Sequence, residues 1–261
     1  MQERHLNRYQ YFLEQGKTTA KFVIPYMERA VPVRKGTRVL EIGCGECGNM
    51  TPFVERGCDI VGVDLNGPQL ERGAGFLEKA TGRTDIQLIH KDIYVVPKEE
   101  IGTFDIIMMR DVIEHIHNQE KFMAFLKQLL KPDGIVFFGF PPWRMPFGGH
   151  QQVCRNKLLS KLPYFHLLPM ALYKGVLRIG GEKKSTVDSL VEIKETGISI
   201  ARFEGIVKRE QYTWVEKDYY FINPNYETKF GLKPRKLSKL IGAIPYLKDF
   251  FCTCVYCLIK K

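Results

Sequence analysis

The sequence predicts a doubly wound parallel α/β sheet, and three observations carry that prediction. Short apolar segments alternate with segments at helical spacing through the first 140 residues. The segment Phe104–Met109 is almost entirely apolar, as a strand buried on both faces should be. A first strand also runs straight into a glycine-rich turn at Gly43 to Gly48. Strands that alternate with helices favour a parallel sheet covered by helices on both faces.

The first half of the chain is expected to supply five strands and the helices between them. One or two leading helices are expected between residues 10 and 30, ending before Pro32. The expected strands are Arg38–Ile42, Asp59–Asp64, Ile86–Ile89, Phe104–Met109 and Ile135–Phe140. A helix is expected over Gln69–Ala80, and a second helix is expected to begin at an Asn118 cap. A turn is expected at residues 131–134 before the fifth strand.

The pattern changes after Pro141. Residues 141–184 are rich in proline, aromatic and basic residues, which favours a loop-and-helix insertion. Beyond it, helical spacing over Val187–Ile200 and two strand-like segments, Thr213–Ile222 and Cys252–Ile259, are expected to complete the sheet, with a basic segment at 229–250 between the strands. The predicted organisation is an N-terminal helical segment at 1–34, a ligand-binding core at 35–142, an insertion or lid at 143–184 and a C-terminal completion of the sheet at 185–261.

Composition narrows the functional classes. The 261 residues include 39 Lys and Arg against 29 Asp and Glu, a formal net charge of +10, which favours anionic partners such as acidic small molecules, nucleic acid or a membrane surface. Basic residues form no consecutive block of five or six, so a nucleic-acid arm is not indicated. No apolar run of 18 residues occurs, and no membrane span is predicted. The seven cysteines are expected to be free, buried thiols in a reducing cytoplasm.

Acidic residues follow three consecutive predicted strands. Glu41 stands two residues before Gly43, Asp64 ends the second strand, and Asp92 follows the third. The carboxyl ends of parallel strands meet at one edge of a doubly wound sheet, where such folds bind ligands. A carboxylate at Asp64 can accept both hydroxyls of a ribose, and Asp92 can accept an exocyclic amino group. The pattern predicts a crevice for a nucleoside-containing cofactor.

In these segments the chain resembles class I S-adenosylmethionine-dependent methyltransferases. The resemblance covers roughly residues 35–142 and rests on five segments, which are 39–45, 61–64, 91–93, 104–116 and 130–134. It implies a Rossmann-like seven-stranded sheet whose last strand is antiparallel, with S-adenosylmethionine as the cofactor. The cofactor-binding residues that it implies are Glu41, Gly43, Cys44, Gly45, Asp64, Leu65, Asp92, Ile93 and Arg110.

The resemblance also implies which part of the cofactor each of these residues contacts. Gly43 and Gly45 would approach its methionine part, and Glu41 would contact the amino group through water. Asp64 would bind the ribose and Asp92 the adenine, while the backbone near Arg110 would hold the methionine end.

A nicotinamide-dependent dehydrogenase is the competing interpretation of the glycine turn. Gly43, Gly45 and Gly48 match Gly-x-Gly-x-x-Gly, the dinucleotide fingerprint. Glu41 and the segment 111–116 argue against it, as does the missing second mononucleotide-binding half.

Residues after the fourth and fifth strands are candidates for chemistry. Asp111, Glu114 and His115 would share one face of a helix, where they could hold a divalent cation or offer His115 as a base. The segment is similar to one in the O-methyltransferases of ubiquinone biosynthesis, where an acid and a Glu-His pair are implicated in metal binding. The simpler interpretation is that Glu114 and His115 only close the crevice. His150 follows the fifth strand and is expected either to face the acceptor, as a second catalytic histidine, or to be an ordinary loop residue.

Two functional hypotheses follow. The first is a methyltransferase acting on a hydroxyl of a small apolar or aromatic molecule, with His115 and His150 as catalytic residues. The second is a subunit that binds the cofactor without catalysis, or a membrane-associated assembly subunit that uses the basic, aromatic-rich C-terminal half. The stretch Leu158–Ile179 is expected to form a lid, a packing element or a surface helix on lipid headgroups. Nucleic-acid methylation is disfavoured because the Asn-Pro-Pro-Tyr type of signature is missing after the fourth strand.

Overall fold

One eight-stranded sheet organises the molecule. The computed structural model describes residues 7–261, so residues 1–6 of the predicted N-terminal segment lie outside the described residues. The strands are β1 Arg38–Ile42, β2 Asp59–Asp64, β3 Gln87–His90, β4 Phe104–Arg110, β5 Leu130–Phe140, β6 Thr213–Ile222, β7 Arg235–Lys236 and β8 Cys254–Lys260. Their order across the sheet is β3-β2-β1-β4-β5-β8-β6-β7.

Strand directions confirm the predicted fold class. β1 to β5 are mutually parallel, and β8, the last strand, runs antiparallel between β5 and β6. The predicted count of seven strands is wrong, because β7 pairs with the end of β6 at the sheet edge. Two residues are too few to carry an alternating pattern, so β7 gives no sequence signal.

Helices cover both faces of the sheet. They are α1 Arg8–Thr18, α2 Ile24–Met27, α3 Thr51–Glu55, α4 Gly67–Thr81, α5 Lys98–Ile101, α6 Gln119–Leu126, α7 Met170–Ile179, α8 Lys184–Thr196, α9 Ile200–Arg209, α10 Asn225–Phe230, α11 Lys239–Gly242 and α12 Leu247–Phe251. A π-helical turn, Thr19–Val23, joins α1 to α2. No described helix is both long and apolar enough to cross a lipid bilayer.

Most predicted boundaries differ from the structure by a few residues, and two predicted elements differ in kind. The single helix expected over Val187–Ile200 is two helices, because α8 ends before Gly197 and α9 begins after a Ser199 cap. A Cβ on Gly197 would lie 2.4 Å from the Trp143 ring, so the chain passes too close to Trp143 for a side chain. The turn expected at 131–134 lies within β5, which shifts register against β4 at this point.

Alternation along the strands divides the core between the two faces. Val255, Cys257 and Ile259 of β8 join the cluster beneath α6 and α9, whereas Cys254, Tyr256 and Leu258 join the cluster beneath α1, α2 and α4. Cys252, which was predicted to begin the last strand, precedes β8. All seven cysteines are buried free thiols, as predicted. The insertion has a smaller core of its own, which joins Phe165, Tyr173 and Leu177 to Val187 and Leu190 of α8.

Candidate active site

A cavity of about 520 Å³ opens at the carboxyl ends of β1 to β4. Seven residues singled out from the sequence line it: Gly43, Asp64, Leu65, Asp92, Ile93, Asp111 and His115. The other lining residues are Ile42, Val63, Lys91, Tyr94, Val112, Ile116, His117, Phe122 and Glu192. Asp64 and Asp92 therefore open into one cavity, as the pattern of acids at strand ends predicts.

The glycine turn at one side of the cavity needs its glycines. Gly43 and Gly45 have φ angles of +72° and +52°, in the left-handed region that costs glycine little. A Cβ on Gly43 would lie 2.5 Å from the Val112 side chain. The Gly45 N–H donates to Asp64 Oδ2 at 2.7 Å, and the Asn66 N–H donates to Oδ1 at 2.7 Å. These two bonds fix the Asp64 carboxylate at the tip of β2.

Glu41 and Arg110 lie behind this turn, and their side chains do not line the cavity. Glu41 is 1% exposed and accepts a hydrogen bond from Asn49 Nδ2 at 2.9 Å. Arg110 Nη1 donates to Asn49 Oδ1 at 2.7 Å, so Asn49 joins the two charged side chains. Burial raises the pKa of Glu41 to about 8, against the opposing influence of Asn49 and Arg110. Sequence reasoning missed Asn49, which carries no motif of its own.

The third glycine of the turn serves packing. Gly48 begins a short 3₁₀ turn, and its Cβ would lie 2.6 Å from both the Phe12 carbonyl oxygen and Gln15 Oε1 of α1. Its small size therefore lets α1 lie against the glycine turn. The match to the dinucleotide fingerprint at this position has a packing cause in this chain.

The far side of the cavity suits a nucleoside base. Leu65 is 71% exposed even though it is a large apolar residue, and it lies with Ile93 along the cavity wall. Asp92 stands beside them, and its Oδ1 accepts the Tyr94 N–H at 3.0 Å. An apolar surface for a flat ring and a carboxylate for an amino group thus occur together. With the Asp64 carboxylate and the glycine backbone, the donor and acceptor set fits a nucleoside joined to an amino acid.

Glu114, His115 and His150 meet at the opposite end. One ligand atom from each lies within 4.8 Å of the others, and the two imidazole rings are 5.1 Å apart. Asp111 does not belong to this group. The predicted helical face is not formed, because Asp111 adopts a left-handed φ of +56° and Glu114 and His115 lie in a separate 3₁₀ turn. His150, in the insertion, stands in the group instead.

Desolvation controls the charges of this group. Both carboxylate oxygens of Glu114 are buried without a hydrogen-bond donor among the described residues, and burial together with Asp111 raises its pKa well above the usual value. Partial desolvation lowers the pKa of His115, whose side chain is 42% exposed. The pKa of His150 falls to about 4, through burial and the neighbouring His115 and His166. Both imidazoles are therefore neutral near pH 7, the form that accepts a proton or ligates a cation.

Contacts from α8 hold this end in place. Thr196 Oγ1 donates to the Glu114 carbonyl oxygen at 2.7 Å, and Gln119 Nε2 bridges the Ile113 and Thr196 carbonyls. Glu192 of α8 also reaches the cavity, where its carboxylate is 3.8 Å from His117 Nε2. The sequence pattern gave no reason to select Glu192, because its place depends on how α8 packs against the sheet.

Comparisons with known proteins agree with this geometry. A family model described as a methyltransferase domain matches residues 12–160. A ubiquinone biosynthesis O-methyltransferase of Rhizobium etli is 29% identical over 104 residues, and that match spans 40% of this chain and 40% of the relative.

Solved structures share the fold at low identity. A TehB-like S-adenosylmethionine-dependent methyltransferase of Corynebacterium glutamicum has a TM-score of 0.53 at 14% identity, covering 99% of this chain and 97% of that one. The plantazolicin methyltransferase, solved with a triazolic desmethyl analogue and S-adenosylhomocysteine, has a TM-score of 0.57 at 10% identity, covering 98% and 88%. Because the family model spans more than half of its residues, this chain belongs to the methyltransferase domain family.

Proposed function

We propose that this chain is an S-adenosylmethionine-dependent methyltransferase acting on a hydroxyl of a small apolar or aromatic molecule. One observation carries the proposal: a single cavity joins the Asp64 and Asp92 carboxylates to His115 and, through it, to His150. The R. etli relative is named an O-methyltransferase, which supports a hydroxyl acceptor.

The cofactor would lie along the strand ends. Asp64 and Leu65 would hold the ribose and one edge of the base, and Asp92 with Ile93 would hold the adenine. The backbone of Gly43 to Gly45, including Cys44, and the backbone near Arg110 would receive the amino-acid end, with Glu41 behind them. The cofactor supplies a methyl group activated by its sulfonium, so the protein chiefly has to orient the acceptor and exclude water. Such positioning is worth about 7–11 kcal/mol of the barrier.

His115 and His150 would take the proton of the acceptor hydroxyl. Their lowered pKa values keep them neutral at physiological pH, so either imidazole can accept that proton. General-base catalysis of this kind contributes roughly 10²–10⁴-fold. Phe122 and Ile116 give the same cavity an apolar wall, which suits an aromatic or aliphatic acceptor.

A divalent cation fits the same end. A buried carboxylate without a hydrogen-bond donor and two neutral imidazoles can coordinate a divalent cation. Glu114, His115 and His150 would therefore hold the cation. Asp111, which was expected to bind the cation together with Glu114 and His115, would contribute charge from nearby. The bound cation would favour ionisation of an acceptor hydroxyl.

Calorimetry and a turnover assay test the proposal together. The chain should bind S-adenosylhomocysteine and methylate members of a phenol panel. A Glu114→Ala, His115→Ala double variant should lose turnover and keep its affinity for S-adenosylhomocysteine, because neither residue lies at the predicted nucleoside end. The matched control, Glu120→Ala, changes a partly exposed carboxylate that pairs with Arg202 and Arg209, and it should leave both measurements unaltered.

Three outcomes would contradict parts of the proposal. Absence of S-adenosylhomocysteine binding would reject the function as a whole. Unchanged turnover in the double variant would remove Glu114 and His115 from the mechanism. Cofactor binding without turnover on any acceptor would favour the non-catalytic subunit.

A further inference from the structure

Two segments hold the positive charge of the chain. Residues 143–184 contain eight basic residues and one acid, and residues 229–251 contain six basic residues and one acid. Together they carry a net charge of +12, which exceeds the +10 of the whole chain. Both of their acids, Glu182 and Asp249, are buried and accept hydrogen bonds from within the protein. The exposed surface of the two segments is therefore strongly basic.

These segments are far apart in sequence and meet in the structure. The Tyr164 hydroxyl donates to the Phe250 carbonyl oxygen at 3.3 Å, and their rings are 6.1 Å apart. Arg144 forms an ion pair with Asp249 at 3.1 Å and lies over the Tyr246 ring. The insertion therefore contacts α12 and the residue before it, and α11 in turn packs against α12.

Both of these contacting segments expose large apolar side chains to solvent. Leu158 is 73% exposed and Leu240 is 83% exposed. Leu162, Tyr164, Tyr246 and Leu247 are also exposed. We call these six residues, together with the exposed Lys157, Lys161 and Lys239, the basic apolar face.

Several lysines of the basic apolar face are uncompensated. Among the described residues, no carboxylate forms an ion pair with Lys157, Lys161 or Lys239. Lys157 directly precedes Leu158, Lys161 directly precedes Leu162, and Lys239 directly precedes Leu240. An exposed cationic side chain thus stands next to an exposed aliphatic one at three places.

We propose that the basic apolar face binds the surface of a lipid bilayer that contains anionic lipids. Leucine side chains gain by leaving water for the boundary between headgroups and acyl chains, and tyrosine is well suited to the same depth. Lysine ammonium groups next to them reach the lipid phosphates, and each adds to the attraction of an anionic leaflet. Phosphate contacts alone would use the lysines and leave Leu158 and Leu240 in water, so a polyanion without an apolar phase matches the surface less well.

The insertion contributes residues both to the basic apolar face and to the acceptor end of the cavity. His150 belongs to the same insertion as Leu158, and His166, which helps to lower the pKa of His150, belongs to it as well. The bilayer surface would therefore contact the segment that contributes to the candidate active site. The proposal stands on charge and exposure, and it holds whether or not the chain methylates the acceptor class proposed above.

Vesicle flotation of the full chain tests this inference. The parent protein should float with phosphatidylcholine vesicles that contain phosphatidylglycerol, float far less with phosphatidylcholine alone, and be released by high salt. A Lys157→Glu, Lys161→Glu, Lys239→Glu variant should lower the partition coefficient by roughly a hundredfold. A Leu158→Ser, Leu240→Ser variant should lower it by roughly tenfold or more.

Matched controls come from exposed residues outside the two segments. Val95→Ser removes an apolar side chain that is 65% exposed, and Lys98→Glu, Lys208→Glu reverses two exposed charges. Both controls should float like the parent, and all variants should keep its melting temperature because the changed side chains are exposed.

Three results would overturn the inference. The first is failure of the parent to float with anionic vesicles. The second is equal flotation of the parent and both test variants. The third is lysine-dependent binding to an oligonucleotide without vesicle binding, which would make a nucleic acid the partner.

Discussion

The carboxylates at the two ends of the cavity differ in their hydrogen bonding. At the end formed by β2, Asp64 accepts hydrogen bonds from two backbone N–H groups at 2.7 Å, so its position is fixed before any ligand arrives. At the end formed by the turn after β4, Glu114 is buried with no donor to either oxygen among the described residues. A buried, unsatisfied carboxylate is costly, and folded proteins keep such groups mainly where function uses them.

The difference is consistent with the proposed division of the cavity into a cofactor-binding end and a reacting end. Hydrogen bonds from a rigid backbone suit ligand recognition, because they hold the carboxylate in one orientation. Desolvation raises the pKa of Glu114 and lowers those of His115 and His150. A bound acceptor or cation can then change the protonation states of these groups, as acid–base catalysis requires. Three variants sharpen the contrast.

The largest expected effect concerns His150 and acid stability. The pKa of His150 is about 4 in the folded protein and 6.5 for a free imidazole, so the unfolded chain binds more protons between these values. The folded state therefore loses stability as the pH falls from 6.5 towards 4, by about 3 kcal/mol from this group. His150→Asn should remove this loss, and Asn tolerates the left-handed backbone at this position.

Urea unfolding of both proteins at neutral and acidic pH measures the effect. The difference in free energy of unfolding between wild type and variant should change with pH over this interval. Parallel stability curves would mean that His150 is not desolvated, and the contrast between the two ends would weaken.

The next effect concerns the binding end. Asp64→Ala removes the carboxylate that orders Gly45 and Asn66 and that is expected to bind the ribose. Hydrogen bonds to charged groups are worth about 1.5–3 kcal/mol, so the dissociation constant for S-adenosylhomocysteine should rise roughly ten- to hundredfold in calorimetry. Asp59→Ala, at the opposite end of the same strand, is the control and should leave the affinity unchanged, since Asp59 pairs with Arg38 on the surface. Equal losses in both variants would point to a general weakening of β2.

The smallest effect concerns the support of the glycine turn by α1. Gly48→Ala places a Cβ 2.6 Å from the Phe12 carbonyl oxygen, and overpacking of this kind costs about 1–3 kcal/mol. Gly75→Ala is the matched control, because nothing lies within 4 Å of its Cβ in α4, where alanine should stabilise by about 0.5–1 kcal/mol. Thermal melts should move in opposite directions. A stable Gly48→Ala protein would show that α1 readjusts without cost and that the turn does not depend on it.

Residues with local patterns could be predicted, and residues placed by long-range packing could not. The apolar segment of β4 and the acids after β2 and β3 were recognised because side-chain alternation and strand ends are properties of a few neighbouring residues. The meeting of His115 with His150, 35 positions along the chain, depends on how the insertion folds over the strand ends. Glu192 and Asn49 carry no motif, so nothing in their neighbours marks them.

The sequence alone determined the succession of β1 to β5 along the chain, the glycine turn and the set of acids at one sheet edge. Hydrophobic periodicity and glycine conformations depend on neighbouring residues, so they can be recognised in the sequence. Only the tertiary structure decided that Asp111 lies outside the histidine group, that His150 belongs to it, and that two basic segments far apart in the chain contact each other. Those outcomes depend on the packing of the insertion against α8 and α12, which involves contacts between residues far apart in the chain and leaves no periodic trace in the sequence.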